Sequence, residues 1–319
     1  MPTTPRGPHS MEDGMHGVEE RRVGVIGLGI MGGAIAGHLV AAGWQVHGFD
    51  ISAEARAAAT AAGVRVEEAL SPLLAAAPVL LTSLPHAQAL LDSARALAAA
   101  GLPRRVVIEC STFSLAEKEA ARQLLAEAGH LLLDCPISGT GAQARAKDVV
   151  VYASGDTAEI ARLAPLFAAF AREWHDVGSF GNGSRMKFVA NLLVAIHNVA
   201  AAEAMVLARK AGLDPEQTVR LVGAGAGGSR VFSLRAPMMA ERRYSPPTMR
   251  IATWQKDMQI IAAFLRDLGV AAPMFDATRP IYAAALAQGL GEEDTAAVHA
   301  VLERASGLAD TADPAPSVA

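Results

Sequence analysis

The chain has 319 residues, enough for one large domain or two ordinary ones; 51% are hydrophobic but only 5% aromatic, so its core is built from Ala, Leu and Val. A formal charge of −4 with no long basic run argues against nucleic acid as a partner, and no apolar run approaches the ~20 residues of a membrane span. Two cysteines, Cys110 and Cys135, make neither a disulfide framework nor a metal cluster and point to a reducing, cytoplasmic compartment.

Residues 1–20 are rich in Pro, Gly, His and Met, lack a segment of signal-peptide type, and read as a disordered extension in which Met11 or Met15 are alternative starts. Arg21 to Ile26 then reads as a short buried strand. Gly27, Leu28, Gly29, Ile30, Met31 and Gly32 follow in GxGxxG spacing, and Ile30 to Ala42 reads as a helix. A second strand, Gln45 to Phe49, ends in Asp50, 18 positions after Gly32. Strand, glycine turn, helix, second strand and carboxylate together meet the dinucleotide fingerprint. The glycines let the chain turn tightly and approach a pyrophosphate, the helix N-terminus offers free N–H groups, and Asp50 suits the ribose hydroxyls of NAD while repelling the 2′-phosphate of NADP. A glycine-rich turn that binds nothing is the plainer alternative, and the full context speaks against it.

The alternation continues. Ser52 to Ala62 is a helix with Ser52 as N-cap, Val64 to Val66 a strand, Glu67 to Ala76 a helix and Pro78 to Thr82 a buried strand. Ser83, Leu84 and Pro85 lead into a helix ending at Ala100. Arg105 to Glu109 is a strand followed by Cys110, Ser111 and Thr112; Ser114 to Ala128 is a helix, and His130 to Leu133 a strand ending at Asp134. Such βα repetition predicts a parallel, doubly wound sheet whose ligands bind at the carboxyl ends of the strands. Those ends carry Gly27, Asp50, Ser83, Ser111 and Asp134. Residues 134–148 read as a loop, Val149 to Ala153 as a strand, Ala158 to Ala171 as a helix and Glu173 to Val177 as a last strand.

After a glycine-rich turn at 178–183 the texture changes. A long helix runs from Ser184 to Ala211, and only helices follow: Pro215 to Val222, about Val231 to Ala240, about Met249 to Leu268, Pro273 to Gln288 and Glu292 to Ala305. The expected fold class is therefore α/β, a Rossmann-type doubly wound sheet at 21–178, followed by an all-α substrate and oligomerisation domain at 179–306 joined by the long helix. Residues 307–319 read as a disordered tail.

On the long helix Lys187, Asn191, Val194 and Asn198 are spaced 4, 3 and 4 apart and form one stripe on an otherwise apolar element. Polar groups there need partners. A lysine whose pKa is lowered by burial can act as general acid or base; the alternative is an exposed face with a snorkelling lysine.

These residues resemble the β-hydroxyacid dehydrogenase family, which contains the 3-hydroxyisobutyrate and L-threonate dehydrogenases and the tartronate semialdehyde reductases. The resemblance spans about Arg22 to Glu303. It rests on the pattern GLGxMGxxxAxxL at Gly27 to Leu39, on DxPxSG at Asp134, Pro136, Ser138 and Gly139, on GxGxxxKxxxN at Gly181, Gly183, Lys187 and Asn191, and on the pair Lys256-Asp257. The resemblance implies that Ser138 and the N–H groups around Gly139 and Thr140 hold a substrate carboxylate. It implies that Lys187 exchanges a proton with the hydroxyl two carbons away, that Asn191 orients substrate or lysine, and that Lys256 reaches the cofactor. Ser83, Leu84, Pro85, Ser111 and Thr112 read as cofactor neighbours, ordinary strand-ending residues being the alternative. The substrate expected is a small anionic hydroxy acid, no metal is required, and a homodimer or homotetramer is expected.

The chain departs from the family pattern at Ala190, where a second asparagine is usual, at Thr140 in place of glycine, and at Gln143-Ala144-Arg145-Ala146-Lys147 in place of GAxxG. Arg145 and Lys147 read as solvated loop charges, a contact to a second anionic group being the alternative. Gly223 to Ser229 reads as a mobile interhelical loop, His86, His130, His175 and His197 as structural or exposed, and Trp254 as core or interface. An imine reductase and a non-catalytic dinucleotide-sensing module are the competing classes; Lys187 speaks against both.

Overall fold

The structure, a computed structural model, describes residues 21–308. The extension expected at 1–20 and the tail expected beyond 308 lie outside the described residues. The chain divides into two compact units after Ser184.

In the first unit, strands β1 (Arg22–Ile26), β2 (Gln45–Phe49), β3 (Arg65–Val66), β4 (Val79–Thr82), β5 (Val106–Glu109) and β6 (Leu131–Asp134) form one sheet in the order β3-β2-β1-β4-β5-β6, every pair parallel. The sequences VLLT, VVIE and LLLD are apolar without alternation, because both faces of this sheet are covered. Helices α1 (Ile30–Ala41), α2 (Ala53–Ala61), α3 (Leu70–Ala76), α4 (Ala87–Ala99) and α5 (Leu115–Glu127) supply the covers. Val23, Val25, Ile35 and Leu39 belong to one apolar cluster, and Ile26, Leu80, Leu97 and Leu125 to a second. Ser52 caps α2 through the Ala55 N–H, and Ser114 with Glu117 forms a capping box on α5. The strand order reverses between β1 and β4, so a crevice opens at their carboxyl ends, where Gly27 and Ser83 lie.

The structure departs from the sequence pattern at several elements. The loop at 134–148 contains a short strand, β7 (Ile137–Ser138), and a short helix, α6 (Gly141–Arg145), capped by Thr140. The helix at 158–171 is two, α7 (Thr157–Arg162) and α8 (Ala164–Phe170), because Pro165 in the first turn of α8 starts a new helix. The late strands β8 (Val150–Ala153) and β9 (Glu173–Asp176) do not extend the parallel sheet; with β7 they form a separate sheet in which β7 runs antiparallel to β8. The helix expected from Glu67 begins only at Leu70.

Helix α9 (Asn182–Lys210) starts in the last residues of the first unit and continues into the second. It is followed by α10 (Pro215–Ala224), α11 (Arg230–Ala240), α12 (Ile251–Leu268), α13 (Pro273–Ala287) and α14 (Val298–Ala305). The helix expected from Glu292 begins instead with a 3-10 turn at Thr295–Ala297, because Asp294 accepts the Ala296 N–H and fixes the turn. Among the described residues no strand follows Asp176. Gly307 and Leu308, expected to open the tail, still donate to Arg304 and Glu303. Among the described residues α9 is long and apolar enough to cross a membrane by length and composition alone, with mean hydropathy 1.5, unlike the expectation from apolar runs; 44% of that stretch is buried within the protein.

Helix α9 buries apolar residues such as Phe188, Ala195 and Met205, but it buries its polar stripe with them. Met186, Val189 and Leu193 are 44%, 56% and 46% exposed, whereas Lys187 and Asn191 are 8% and 4% exposed. The polar stripe faces inward, which excludes the snorkelling alternative.

Candidate active site

The glycine turn of the first unit is shaped by close contact. A Cβ on Gly27, whose φ is +90°, would collide with the Ser83 carbonyl, and one on Gly32 with the Gly27 carbonyl, whereas Gly29 faces open space. Gly29 is also the N-cap of α1, carries no capping side chain, and is followed by no acidic residue in the first turn. The N-terminus of this 12-residue helix is thus left to an anion. Leu28 turns its side chain into the core and donates its N–H to Asp50 Oδ2 at 2.7 Å. Asp50 Oδ1 accepts the Ser52 N–H at 2.7 Å, so the carboxylate is fixed beside the turn. Arg56, which carries no signal in the sequence, donates to the carbonyls of Asp50 and Ile51 at 2.8 and 3.1 Å. The cradle, the bare helix end and the fixed carboxylate fit a dinucleotide.

The remaining residues at this sheet edge converge on the turn. The Leu84 N–H donates to Ser111 Oγ at 2.8 Å, joining the ends of β4 and β5. Ser83 is half-buried with its Cβ near Gly32, Pro85 is exposed, and Thr112 is half-buried. Met31 packs on the core, while Ile30 is 60% exposed and fills the space where a Cβ on Gly141 would stand. His38 Nε2 and the Ala144 carbonyl lie 2.9 Å apart, so α1 and α6 are held together. This brings Ser138, Gly139 and Thr140 near the glycine turn within one unit.

The segment at 138–147 differs from the expectation in one respect. The Thr140 N–H, expected to face an anion, donates to Gln143 Oε1 at 3.0 Å in a capping box. Gln143 Nε2 in turn donates to Asp148 Oδ2 at 3.2 Å. Lys147 adopts φ 56°, the left-handed region, at the position where the family pattern carries glycine.

In the second unit the stripe on α9 divides. Lys187 is buried, and burial lowers its pKa to about 8; Asp257 opposes that shift and Lys256 adds to it. Asn191 Nδ2 donates to Asp257 Oδ2 at 2.9 Å, and Lys256 Nζ lies 3.3 Å from Asp257 Oδ1. Lys187, Asn191, Lys256 and Asp257 therefore form one cluster. Asp257 carries no signal in the sequence beyond its place in the Lys-Asp pair. Asn198 does not join them: its amide donates to Tyr282 Oη and to the Thr295 carbonyl, both at 2.9 Å, tying α9 to α13 and the 3-10 turn. Trp254 is buried against Tyr282, and His86 and His130 accept backbone N–H groups, as structural residues do.

Comparison with known proteins agrees with both units. Residues 22–178 match the model of the NAD-binding domain of 6-phosphogluconate dehydrogenase, and residues 181–302 match that of the NAD-binding of NADP-dependent 3-hydroxyisobutyrate dehydrogenase. L-threonate dehydrogenase of Cupriavidus necator is 33% identical over 87% of this chain and 95% of its own. A probable 3-hydroxyisobutyrate dehydrogenase of Mycobacterium bovis is 28% identical over 89% and 98%. The crystal structure of 3-hydroxyisobutyrate dehydrogenase from Salmonella typhimurium superposes with a TM-score of 0.80 at 28% identity, covering 88% of this chain and 99% of that one. A glycine cradle for a nicotinamide dinucleotide on a parallel sheet, an all-α second unit and relatives of this extent agree: the chain belongs to the β-hydroxyacid dehydrogenase family.

Proposed function

We propose that this protein is an NAD-dependent dehydrogenase interconverting a small β-hydroxy acid and its oxo acid or semialdehyde, with Lys187 as the proton-transfer group. The observation that carries the reading is the buried Lys187, held at about 8 and grouped with Asn191 and Asp257. A lysine near neutrality can accept and return a proton at physiological pH; one at its ordinary value cannot.

In this reading the turn at Gly27, Leu28, Gly29, Ile30, Met31 and Gly32 takes the pyrophosphate, and Asp50 takes the adenosine ribose. Ser83, Leu84, Pro85, Ser111 and Thr112 border the nicotinamide end. A dinucleotide held there would supply the acceptor for the hydride of the carbinol carbon. Ser138 and Gly139 hold the substrate carboxylate, and a substrate that also uses the Thr140 N–H displaces Gln143. Lys187 Nζ removes the hydroxyl proton, Asn191 orients the reacting groups, and Lys256 serves the cofactor. Asp50 supports NAD over NADP, since a 2′-phosphate would meet its carboxylate.

We further assign the protein to a homodimer or homotetramer. The exposed Met186, Val189, Leu193 and Leu207 on α9 support this, because apolar side chains in a row on one helix call for a cover. The free, buried Cys110 and Cys135 accord with the cytoplasm.

The direct test is absorbance at 340 nm with NAD and NADP against panels of β-hydroxy acids and of cyclic imines. Turnover of a β-hydroxy acid with NAD is expected. Turnover confined to imines, or none with either panel, would refute the reading.

A further inference from the structure

Beneath the site edge of the first unit lies a charge cluster that the proposed reaction does not use. Glu109 and Asp134 end adjacent parallel strands and stand in register. Lys118, on α5, points between them: its Nζ is 2.6 Å from Glu109 Oε2 and 2.7 Å from Asp134 Oδ1. All three are fully buried. Burial alone would lower the pKa of Lys118, yet the two carboxylates hold it above its ordinary value, so the ammonium stays charged.

One ammonium against two carboxylates is a costly arrangement for stability alone, since apolar side chains of similar volume commonly serve as well. The cluster does reach outward. Glu109 Oε1 accepts the Ser111 N–H at 2.8 Å, and Ser111 Oγ accepts the Leu84 N–H at 2.8 Å. Asp134 Oδ2 accepts the Ser184 N–H at 2.8 Å and the Ser154 hydroxyl at 3.2 Å, and Asp134 Oδ1 accepts the Ser184 hydroxyl at 2.8 Å. Ser154 Oγ also accepts the Gly183 N–H at 3.0 Å. Gly183 comes so near that a Cβ there would strike the Asp134 carbonyl and Pro136. A continuous line of contacts therefore runs from Leu84 through Ser111, Glu109 and Lys118 to Asp134. From Asp134 the chain continues directly into Pro136 and Ser138.

We propose that Lys118 is a positioning residue: by binding both carboxylates it sets the spacing between the cofactor-side turns at Leu84 and Ser111 and the substrate-side segment at Asp134 to Ser138. The proposal rests on the reading of those segments given above. Hydride transfer is sensitive to such spacing, because a displacement of about 1 Å can cost on the order of 10²-fold in rate.

The test compares the parent with Glu109→Gln/Lys118→Met. This pair removes the ammonium together with one carboxylate, so the net charge of the cluster is unchanged; the amide oxygen introduced at position 109 still accepts from Ser111, and Asp134 keeps its serine donors. The assay uses the best β-hydroxy acid and its carbinol-deuterated form, with rates scaled to NAD-binding sites. The variant should bind NAD within about threefold of the parent, lose about tenfold or more in kcat, show a larger primary isotope effect, and keep the midpoint of its pH profile. Unchanged kcat and isotope effect per site would overturn the proposal and leave Lys118 a structural residue. If the double variant does not fold, Glu109→Gln alone decides: kcat and isotope effect should move in the same directions, and constancy of both would overturn the proposal. A parent that turns over no β-hydroxy acid would overturn the functional reading and the positioning role with it.

Discussion

Asn191 donates its side-chain amide to Asp257 across 2.9 Å, and the same carboxylate acts on Lys187, one helical turn before Asn191, as a charge that opposes the effect of burial. Asp257 therefore adjusts the lysine as well as anchoring the asparagine. In Asp257→Asn the hydrogen bond can persist through the amide oxygen, but the charge is lost. The pKa of Lys187 should then fall below about 8, and the acid limb of kcat/KM for oxidation should move to lower pH. A pH–rate profile with an unmoved inflection would show that the two groups are not coupled.

Burial of Lys187 also carries a stability signature. Its folded pKa of about 8 lies below the roughly 10.4 of an unfolded chain. Between those values the unfolded chain binds more protons, so stability rises with pH; below the folded value the whole cost of the buried ammonium is felt, on the order of 3 kcal/mol. Lys187→Met should accordingly raise the urea midpoint at pH 7, and the gain should shrink as pH approaches about 10, near the unfolded value. An equal gain at both pH values, or a loss at pH 7, would speak against a strained lysine.

The proposed preference for NAD over NADP rests on Asp50. Asp50→Ala should narrow the preference for NAD over NADP, since Arg56 remains as a cation on the carbonyls of residues 50 and 51. It should also loosen the turn, because the Leu28 N–H loses its acceptor, with a stability loss of about 1 kcal/mol. The ratio of kcat/KM for the two cofactors, measured in parent and variant, checks the first point. A parent that uses NADP as well as NAD would refute the assignment.

The proposed assembly rests on the exposed apolar side chains of α9. Light scattering at micromolar concentration should give the mass of a dimer or tetramer, and Val189→Glu with Leu193→Glu should shift it toward the monomer. A monomeric parent would leave the exposed stripe unexplained.

The elements that were legible in the sequence are those whose signals are local. The strand, glycines and carboxylate from Arg22 to Asp50 lie within 29 residues, and strand, turn and helix stand where their pattern places them. The segment at 134–148 reads as loop because β7 has 2 residues and α6 has 5, too few for any periodicity. One signal was present there: Thr140 with Gln143 has the spacing of a capping box. Helical spacing puts Lys187, Asn191 and Asn198 on one stripe, yet it cannot reveal that different helices meet its two ends. The Glu109–Lys118–Asp134 cluster is invisible in the sequence for a related reason. Its members belong to three elements, and an acid at a strand end resembles a site residue whether it faces a ligand or a buried lysine.

That Lys187 transfers the proton is the central claim, and steady-state turnover of Lys187→Ala with NAD and the best β-hydroxy acid tests it most directly. The predicted result is a folded protein with NAD affinity near that of the parent and kcat reduced by roughly 10²–10⁴-fold, with no rescue by Lys187→Arg, whose guanidinium stays protonated. A folded Lys187→Ala protein turning over at the parental rate would contradict it.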